Sequence, residues 1–289
     1  MAIANACKDL MGASYVPVSG GKFLCSKTGR QEVLPDLCVA KYLVTGNLFR
    51  RFVAYLDGCY RECEEFCLPG MFRTQLNIIA ESNSWGADFK NYFRKEKDLS
   101  VLFGSLYGDN DRFNGDDQPV VGVNQYAAKA YCLWLSMLEN EGLDTGLYFL
   151  PTDQLWEAAA AGMNSRKYPW PKEKGSPSRV LAHYGAMGAD SGAKPISAYS
   201  NAEGQTPTGI CGMVGNVLTW TDSYFDDRTF SLRGSAWFDS VDRLRCSFRG
   251  EHFHPTVRVN FVGFRVWRKE QCREKGRGEI FHNNNGRSV

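Results

Sequence analysis

The feature that most constrains the fold is the order of its sequence patterns. Residues 38–58 predict a strand that runs into a helix, with apolar residues at helical spacing from Leu48 to Leu56, and residues 124–142 and 150–162 predict two further helices. Residues 163–209 are then rich in glycine and polar residues, and short strands follow up to residue 267. Because strands and helices do not alternate, the chain is predicted to be α+β, without a parallel sheet.

Residues at segment ends predict where several elements begin and stop. Residues 15–23 (YVPVSGGKF) predict a strand, a glycine turn and a second strand. Thr45 and Thr152 are placed to cap two of the helices, and Gly142 and Gly162 are placed to end two of them.

Two segments show little pattern. Residues 69–118 mix glycine, asparagine, aspartate and aromatic residues, and we expect an insertion or a long loop there. Residues 268–289 are charged and polar, and we expect a weakly ordered tail. The predicted organisation is therefore one domain over residues 1–267 followed by this tail.

The composition is that of a globular domain. Hydrophobic residues make up 43% of the 289 residues and the net charge is +2, with the basic residues dispersed, so we expect no nucleic-acid partner. No stretch approaches the roughly 20 apolar residues of a membrane span, and we recognise no signal peptide. The ten cysteines match no small disulfide scaffold, which favours reduced thiols.

Residues 233–266 contain three short motifs, and the residues between these motifs show no regular hydrophobic pattern. RGSAW opens the segment, RCSFR stands in its middle and GFR lies near its end. The residues between follow neither a helix period nor a strand period. The segment is therefore interpreted as two interleaved sets, one that holds the fold and one that is free to vary.

Several phrases, in order, resemble the formylglycine-generating-enzyme-like domains, also called the sulfatase-modifying-factor family. PVVGVNQYAAKAYCLWLS (119–136), FLPTDQLWEAAAAG (149–162) and CGMVGNVLTW (211–220) are similar to three family motifs. VPVSGGKF, KYLVTGNLFRRF and LRGSAWFD…CSFR…VGFRV are similar to others. The resemblance covers about residues 15–267. It implies a C-type-lectin-like fold, with short helices around a small twisted antiparallel sheet and much irregular loop.

The resemblance does not extend to the family's catalytic cysteines. Formylglycine-generating enzymes bind copper through a cysteine pair in the final segment, and two thiolates suit a soft copper(I) ion. The matching stretch here, residues 235–244, contains no cysteine, and Cys246 falls where the family has a non-catalytic residue. We therefore expect no formylglycine synthesis.

Other metal sites are also not expected. The related sulfoxide synthases need an iron-binding histidine set, but His252 and His254 have no third ligand at a suitable spacing. The family's calcium motif has Thr219 in place of its acidic residue. Cys59, Cys63 and Cys67 share a helical face, for which burial is favoured over metal or redox use. We predict no cofactor.

One branch of this fold looks especially similar: the variable proteins of diversity-generating retroelements. Their last segment has constant residues that frame positions derived from randomised asparagine codons. The frame residues here are Gly234, Trp237, Arg245, Arg249, Pro255, Arg258, Gly263, Phe264 and Arg265. The slots between them hold Phe238, Asp239, Ser240, Asp242, Phe248, Gly250, His252, Phe253, His254, Val257, Val259, Asn260 and Phe261.

The slot residues agree with that codon scheme. Each of them can be reached by randomising the first two bases of an AAC codon, and Glu251 is the exception within the segment. Trp237 is expected to pack under the sheet, and the frame arginines to hold loops through forked hydrogen bonds. The slots would then face solvent and bind.

These observations favour a non-enzymatic protein that binds a protein or glycan through residues 238–261. Exposed phenylalanines would supply contact area, and the aspartates and histidines would supply oriented polar contacts. Two alternatives stay open: a metal-dependent oxidoreductase of the formylglycine or sulfoxide-synthase kind, and an accessory domain without its own ligand.

Overall fold

A computed structural model describes residues 7–59, 67–113, 115–186 and 194–269. Within these ranges the chain forms six α-helices and eleven strands. The helices are α1 (Gly46–Leu56), α2 (Pro69–Ser82), α3 (Ala87–Arg94), α4 (Leu99–Phe103), α5 (Gln125–Leu138) and α6 (Asp153–Ala161). The strands are β1 (Cys7–Lys8), β2 (Ser14–Val18), β3 (Gly21–Leu24), β4 (Gln31–Leu34), β5 (Leu37–Ala40), β6 (Tyr148–Phe149), β7 (Leu218–Tyr224), β8 (Phe230–Arg233), β9 (His252–Phe253), β10 (Val262–Gly263) and β11 (Trp267–Lys269).

The strands form three small sheets. An antiparallel sheet has the order β1-β2-β5-β11-β6, and strands β3 and β4 pair separately. A second sheet has the order β10-β7-β8-β9, in which β10 runs parallel to β7 with Val262 opposite Leu218. The α+β class is confirmed, and none of the sheets formed by the described strands is a parallel sheet, although the two-residue pairing of β10 with β7 runs parallel. The pairing is possible without a crossover helix because the long segment between β8 and β10 brings the chain back beside β7.

The predicted helix starts are confirmed by side-chain caps. Thr45 Oγ1 accepts a hydrogen bond from the Leu48 amide, and Thr152 Oγ1 accepts one from the Leu155 amide. Helix α6 ends at Gly162, as predicted. Helix α5 ends four residues before Gly142, and all but one of its side chains are buried, so it is the central helix rather than a helix with one apolar face.

Residues 69–118 contain helices α2, α3 and α4, so the expectation of a long loop is wrong. Phe72, Leu76 and Ile79 follow helical spacing along α2, and Phe89 and Phe93 lie four residues apart on α3. The pattern is hard to read from sequence because α3 and α4 are short and are separated by turn residues. All five side chains lie in the main hydrophobic core, which also contains Phe49 and Trp134.

The folded domain extends beyond residue 267, at which the sequence predicted its end. Strand β11 continues to Lys269 and pairs with β5 and β6, so the first two residues of the expected tail are structural. The rest of the tail lies outside the described residues. Among the described helices, none combines the length and apolar character needed to cross a membrane.

Gly263 and Gly70 provide a matched test of the packing. A Cβ on Gly263 would lie 2.5 Å from the Val120 carbonyl oxygen, whereas a Cβ on Gly70 of α2 would meet nothing within 4 Å. We expect Gly263→Ala to lower the free energy of unfolding by about 1–3 kcal/mol through overpacking. Gly70→Ala should leave it unchanged or raise it by up to about 1 kcal/mol, because the helix loses a flexible residue. Denaturant unfolding of the two variants measures both values, and equal effects would contradict this account.

Candidate ligand-binding surface

Arg233, at the end of β8, lies beneath the segment that carries the predicted slots. Its side chain has no exposed surface, and its guanidinium lies 4.7 Å from the centre of the Trp156 ring. It donates hydrogen bonds to the Cys246 carbonyl at 2.7 Å and to the Phe248 carbonyl at 2.9 Å. A buried arginine on the sheet therefore holds the middle of the segment in place.

Two carboxylates of α6 balance the charge of Arg233 and Arg249. Asp153 and Glu157 lie four residues apart on one helical face, and both side chains are buried. Arg249 Nη2 lies 2.6 Å from Glu157 Oε2, and Arg249 Nε lies 3.4 Å from Asp153 Oδ2. Arg233 Nη2 lies 3.4 Å from the same Glu157 oxygen. We call these four residues the buried charge cluster.

The buried and charged surroundings of Arg233 change the pKa of its guanidinium group. Burial and the neighbouring Arg249 lower its pKa to about 10, although Asp153 and Glu157 act in the opposite direction. Sequence reasoning assigned a role to Arg249 but missed Arg233, Asp153 and Glu157. Asp153 and Glu157 could have been found from their Asp-x-x-x-Glu spacing within residues 149–162, because this spacing places both carboxylates on one face of the helix.

Two further frame arginines hold backbone carbonyls, as expected. The fully buried Arg265 donates to the carbonyls of Ala40, Cys211 and Gly212. Arg258 donates to the Leu102 carbonyl and to the Tyr92 hydroxyl, which joins the segment to α3 and α4.

Arg245 and Trp237 are placed differently from the expectation. Arg245 is exposed, and its Nε donates to the Asp242 carbonyl, so it holds only its own turn. Trp237 is half-buried and meets Phe238 edge to face at 4.8 Å, rather than packing beneath the sheet. Both residues therefore contact near neighbours in the sequence, whereas the sequence predicted that they would hold the segment against the rest of the fold.

The three slot phenylalanines that lie nearest the core form one aromatic group. Phe238 and Phe261 meet edge to face at 5.1 Å, and Phe253 lies 6.2 Å from Phe261. All three are half-buried and pack against the main core, together with Val259. The sequence predicted that these rings face solvent, but each exposes only part of its surface. The group forms an apolar floor with a solvent-facing side.

The two slot histidines lie near this group but do not share partners. His252 stacks on Phe225 with centroids 3.9 Å apart, and its Nδ1 lies 3.0 Å from Thr229 Oγ1. His254 Nδ1 lies 2.8 Å from Thr256 Oγ1. Each ring is held by its own neighbours.

Apart from Asp239, three of the seven remaining slots are exposed and four are half-buried. Ser240, Asp242 and Gly250 are exposed, and those that are half-buried are Phe248, Val257, Val259 and Asn260. Gly263, a frame position, is buried in β10. The slot residues other than Asp239 are thus half-buried or exposed, and we call them the slot surface, whereas the frame ranges from the buried Arg265 to the exposed Arg245.

Asp239 is the slot that does not fit this division. It is 6% exposed, and its carboxylate accepts a hydrogen bond from the Ala236 amide at 2.7 Å and contacts Arg243 at 3.3 Å. Burial raises the pKa of this carboxyl. The expectation that Asp239 faces a ligand is therefore wrong, because its oxygens already have partners within the segment.

The residues present do not fit the family's copper or calcium chemistry. Cys246 is buried and burial raises the pKa of its thiol to about 12, and residues 235–244 offer no second thiolate. Thr219 donates its hydroxyl to the Arg233 carbonyl at 3.2 Å. Across the described ranges, no three His, Cys, Asp or Glu side chains are grouped to hold a metal.

Of the three cysteines that were predicted to share a helical face, Cys59 and Cys67 lie within the described residues. Cys59 is exposed and Cys67 is buried, whereas Cys63 lies outside the described residues. The favoured burial therefore holds for Cys67, where burial also raises the pKa of the thiol. Cys59 does not share that environment.

The fold and the framed segment define a C-type-lectin-like α+β domain. Residues 2–270 match the model of the sulfatase-modifying factor enzyme 1-like domain, and the chain belongs to this family. Similar proteins include inactive Cα-formylglycine-generating enzyme 2 from Bos taurus, 33% identical over 43% of this chain and 40% of that protein. The mouse protein of the same name is 26% identical over 79% of this chain and 76% of its own length.

Enzymes also occur among the similar proteins. Hercynine oxygenase of Mycolicibacterium thermoresistibile is 29% identical over 81% of this chain and 51% of its own length. Two solved structures share the fold: PvdO from Pseudomonas aeruginosa (TM-score 0.59, 17% identity, 93% of this chain and 100% of that one) and Treponema denticola variable protein 1 (TM-score 0.54, 17% identity, 89% and 95%). The resemblance to the formylglycine-generating-enzyme-like fold is confirmed.

Asp239 and Asp242 provide a matched pair for the assignment of frame and slot. Asp239→Ala should lower the free energy of unfolding by about 1–3 kcal/mol, because the Ala236 amide loses its buried acceptor. Asp242→Ala should change it by less than about 0.5 kcal/mol, because that side chain is exposed. Urea denaturation followed by tryptophan fluorescence gives both values. If both substitutions changed the free energy of unfolding by the same small amount, Asp239 would belong to the slot surface.

Proposed function

We propose that this protein is a non-enzymatic binding protein and that the slot surface contacts a macromolecular ligand, a protein or a glycan. We further propose that the slot residues differ between copies of the gene, as in the variable proteins of diversity-generating retroelements. The observation that carries the proposal is that Arg233 and Arg265 anchor the segment through buried hydrogen bonds, while every slot residue except Asp239 is half-buried or exposed.

This division suits variation at the surface. The hydrogen bonds of Arg233 end on the carbonyls of Cys246 and Phe248, and those of Arg265 end on three other carbonyls. Backbone carbonyls stay in place when the side chains around them change. Substitution at an exposed slot such as Ser240 or Gly250 therefore removes none of these bonds, and such surface changes usually alter stability little.

The apolar floor formed by the three slot phenylalanines suits binding. Phe238, Phe253 and Phe261 are held by one another and by the core, so little side-chain freedom is lost on contact with a partner. Aromatic side chains of this kind provide much of the energy at protein interfaces. Around them, His254 and Asn260 offer polar atoms that can select a partner by orientation.

The comparisons support the proposal from two directions. The bovine and mouse relatives are named as inactive enzymes, which agrees with the missing cysteine pair. The Treponema protein that shares the fold is named a variable protein. Nothing in these names identifies a ligand for this chain, and a diversified surface would have no single one.

Comparison of this gene among isolates provides the direct test. We expect amino-acid changes to concentrate at the slot positions other than Asp239, because those residues are half-buried or exposed and their side chains take no part in the anchoring hydrogen bonds of the arginines. The frame positions Arg249, Arg258 and Arg265 should be constant, and exposed loops elsewhere provide the control. Changes spread evenly over all exposed residues would contradict the variable-protein reading.

The second candidate is a metal-dependent oxidoreductase, which the similarity to hercynine oxygenase favours. It requires a ligand set different from the family's cysteine pair. Metal analysis of the purified protein by mass spectrometry separates the two candidates. We expect copper and iron well below one atom per chain, before and after incubation with each ion. Stoichiometric binding of either ion would favour the enzyme.

A further inference from the structure

A cavity of about 460 Å³ lies on the surface segment 166–176, and no residue of the slot surface lines it. This segment connects α6 to the glycine-rich part of the chain, and the Lys167 carbonyl accepts a hydrogen bond from the Cys246 amide. The lining combines aromatic rings with cations: Arg166, Lys167, Tyr168, Trp170, Lys172, Gly175 and Ser176.

The aromatic wall of the cavity is held rigidly. The Tyr168 and Trp170 rings are stacked, with centroids 5.1 Å apart and planes within 8° of parallel. Trp170 is 1% exposed and donates its indole N–H to the Gly175 carbonyl at 3.1 Å. Tyr168 is half-buried and is the ring with accessible surface. A flat ligand ring could therefore pack against the accessible part of Tyr168 while Trp170 stays in place and the exposed Lys167 side chain, which lies over the Tyr168 ring, moves aside.

Three cations surround this wall without a charge partner. Within the part of the chain that the structure describes, Arg166, Lys167 and Lys172 form no ion pair, whereas nearby Lys174 pairs with Glu203 at 2.5 Å. Lys167 Nζ lies 5.3 Å from the centre of the Tyr168 ring. The cavity thus concentrates positive charge beside an aromatic surface, and no carboxylate lines it.

Arg166 shows most clearly that an anion is lacking. Its Nη1 contacts Asn164 Oδ1 at 3.2 Å and its Nη2 contacts the Ala160 carbonyl at 3.4 Å, both longer than a strong charge-assisted bond. Its Nε is buried without a hydrogen-bond partner. Burial lowers the pKa of this guanidinium. An incoming oxyanion would supply both the missing charge and the missing acceptors.

We propose that this cavity binds a planar aromatic ring that carries a sulfate or phosphate group. The ring packs against Tyr168, and the anionic group is held by Arg166, Lys167 and Lys172. An inorganic anion would leave the aromatic wall unused, and a neutral ring would leave the three cations unpaired. The site is independent of the slot surface, so it can be correct or wrong regardless of the proposed function.

Isothermal titration calorimetry of the full chain with naphthalene-2-sulfonate tests this proposal. The probe joins a flat ring to an oxyanion that resembles sulfate. Naphthalene-2-sulfonamide has the same ring without the charge, and inorganic sulfate has the charge without the ring. We expect the sulfonate to bind at least about tenfold more tightly than either, since a charge-assisted contact and a ring contact act together. Equal binding of the sulfonate and the sulfonamide would overturn the proposal.

Variants locate the binding in the cavity. Lys172→Glu should weaken sulfonate binding by about tenfold or more, and Lys95→Glu, an exposed charge reversal just after α3, should not change it. Tyr168→Ala should weaken binding, whereas Tyr168→Phe should retain it because the ring remains. Unchanged binding in Lys172→Glu would overturn the assignment even if Tyr168→Ala is too unstable to measure, because Lys172 is exposed and its replacement does not disturb the core.

Discussion

The segment from β8 to β10 depends on one interaction, the buried charge cluster of Arg233, Arg249, Asp153 and Glu157. Removing charges from water is costly, and the cluster is tolerable because two guanidinium groups face two carboxylates and Arg233 also donates to the Cys246 and Phe248 carbonyls. Removing one member of the cluster would leave a buried charge without its partner, which is strongly destabilising. It connects the last helix, the second sheet and the irregular segment.

This anchoring explains how an irregular segment can be ordered with few strands of its own. Between Gly234 and Phe261 the chain has one short strand and one turn of 3-10 helix (Val241–Leu244). Its position is set by arginines whose hydrogen bonds end mainly on backbone carbonyls. The exposed side chains, such as those of Ser240 and Asp242, take no part in these hydrogen bonds.

Much of the fold could be predicted from sequence, because helix caps and motif order are local signals. Thr45, Thr152 and Gly162 marked ends that the structure confirms. Helices α2 to α4 could not be recognised, since they are short and are stabilised by packing in the main core rather than by a long period. The parallel pairing of β10 with β7 depends on a contact distant in sequence, which no local pattern reveals.

Part of the hydrogen-bonded framework of the segment could be predicted from sequence, but not the burial of each side chain. Arg249, Arg258 and Arg265 have the anchoring role that their motif implied, whereas the buried acceptor role of Asp239 depends on a turn that brings the Ala236 amide to its carboxylate. Whether a side chain in an irregular segment faces inward is decided by such turns. Periodicity carries that information for helices and strands only.

The placement of β7 between β8 and β10 has a consequence for how the segment could be exchanged. Its two ends leave the sheet from strands that flank one common neighbour, roughly 10 Å apart at the usual spacing between strands. The two ends of this long segment are therefore fixed close together. A sequence that replaces the segment must keep its arginine contacts and the pairing of β9 with β8, because β9 is the edge strand of the same sheet.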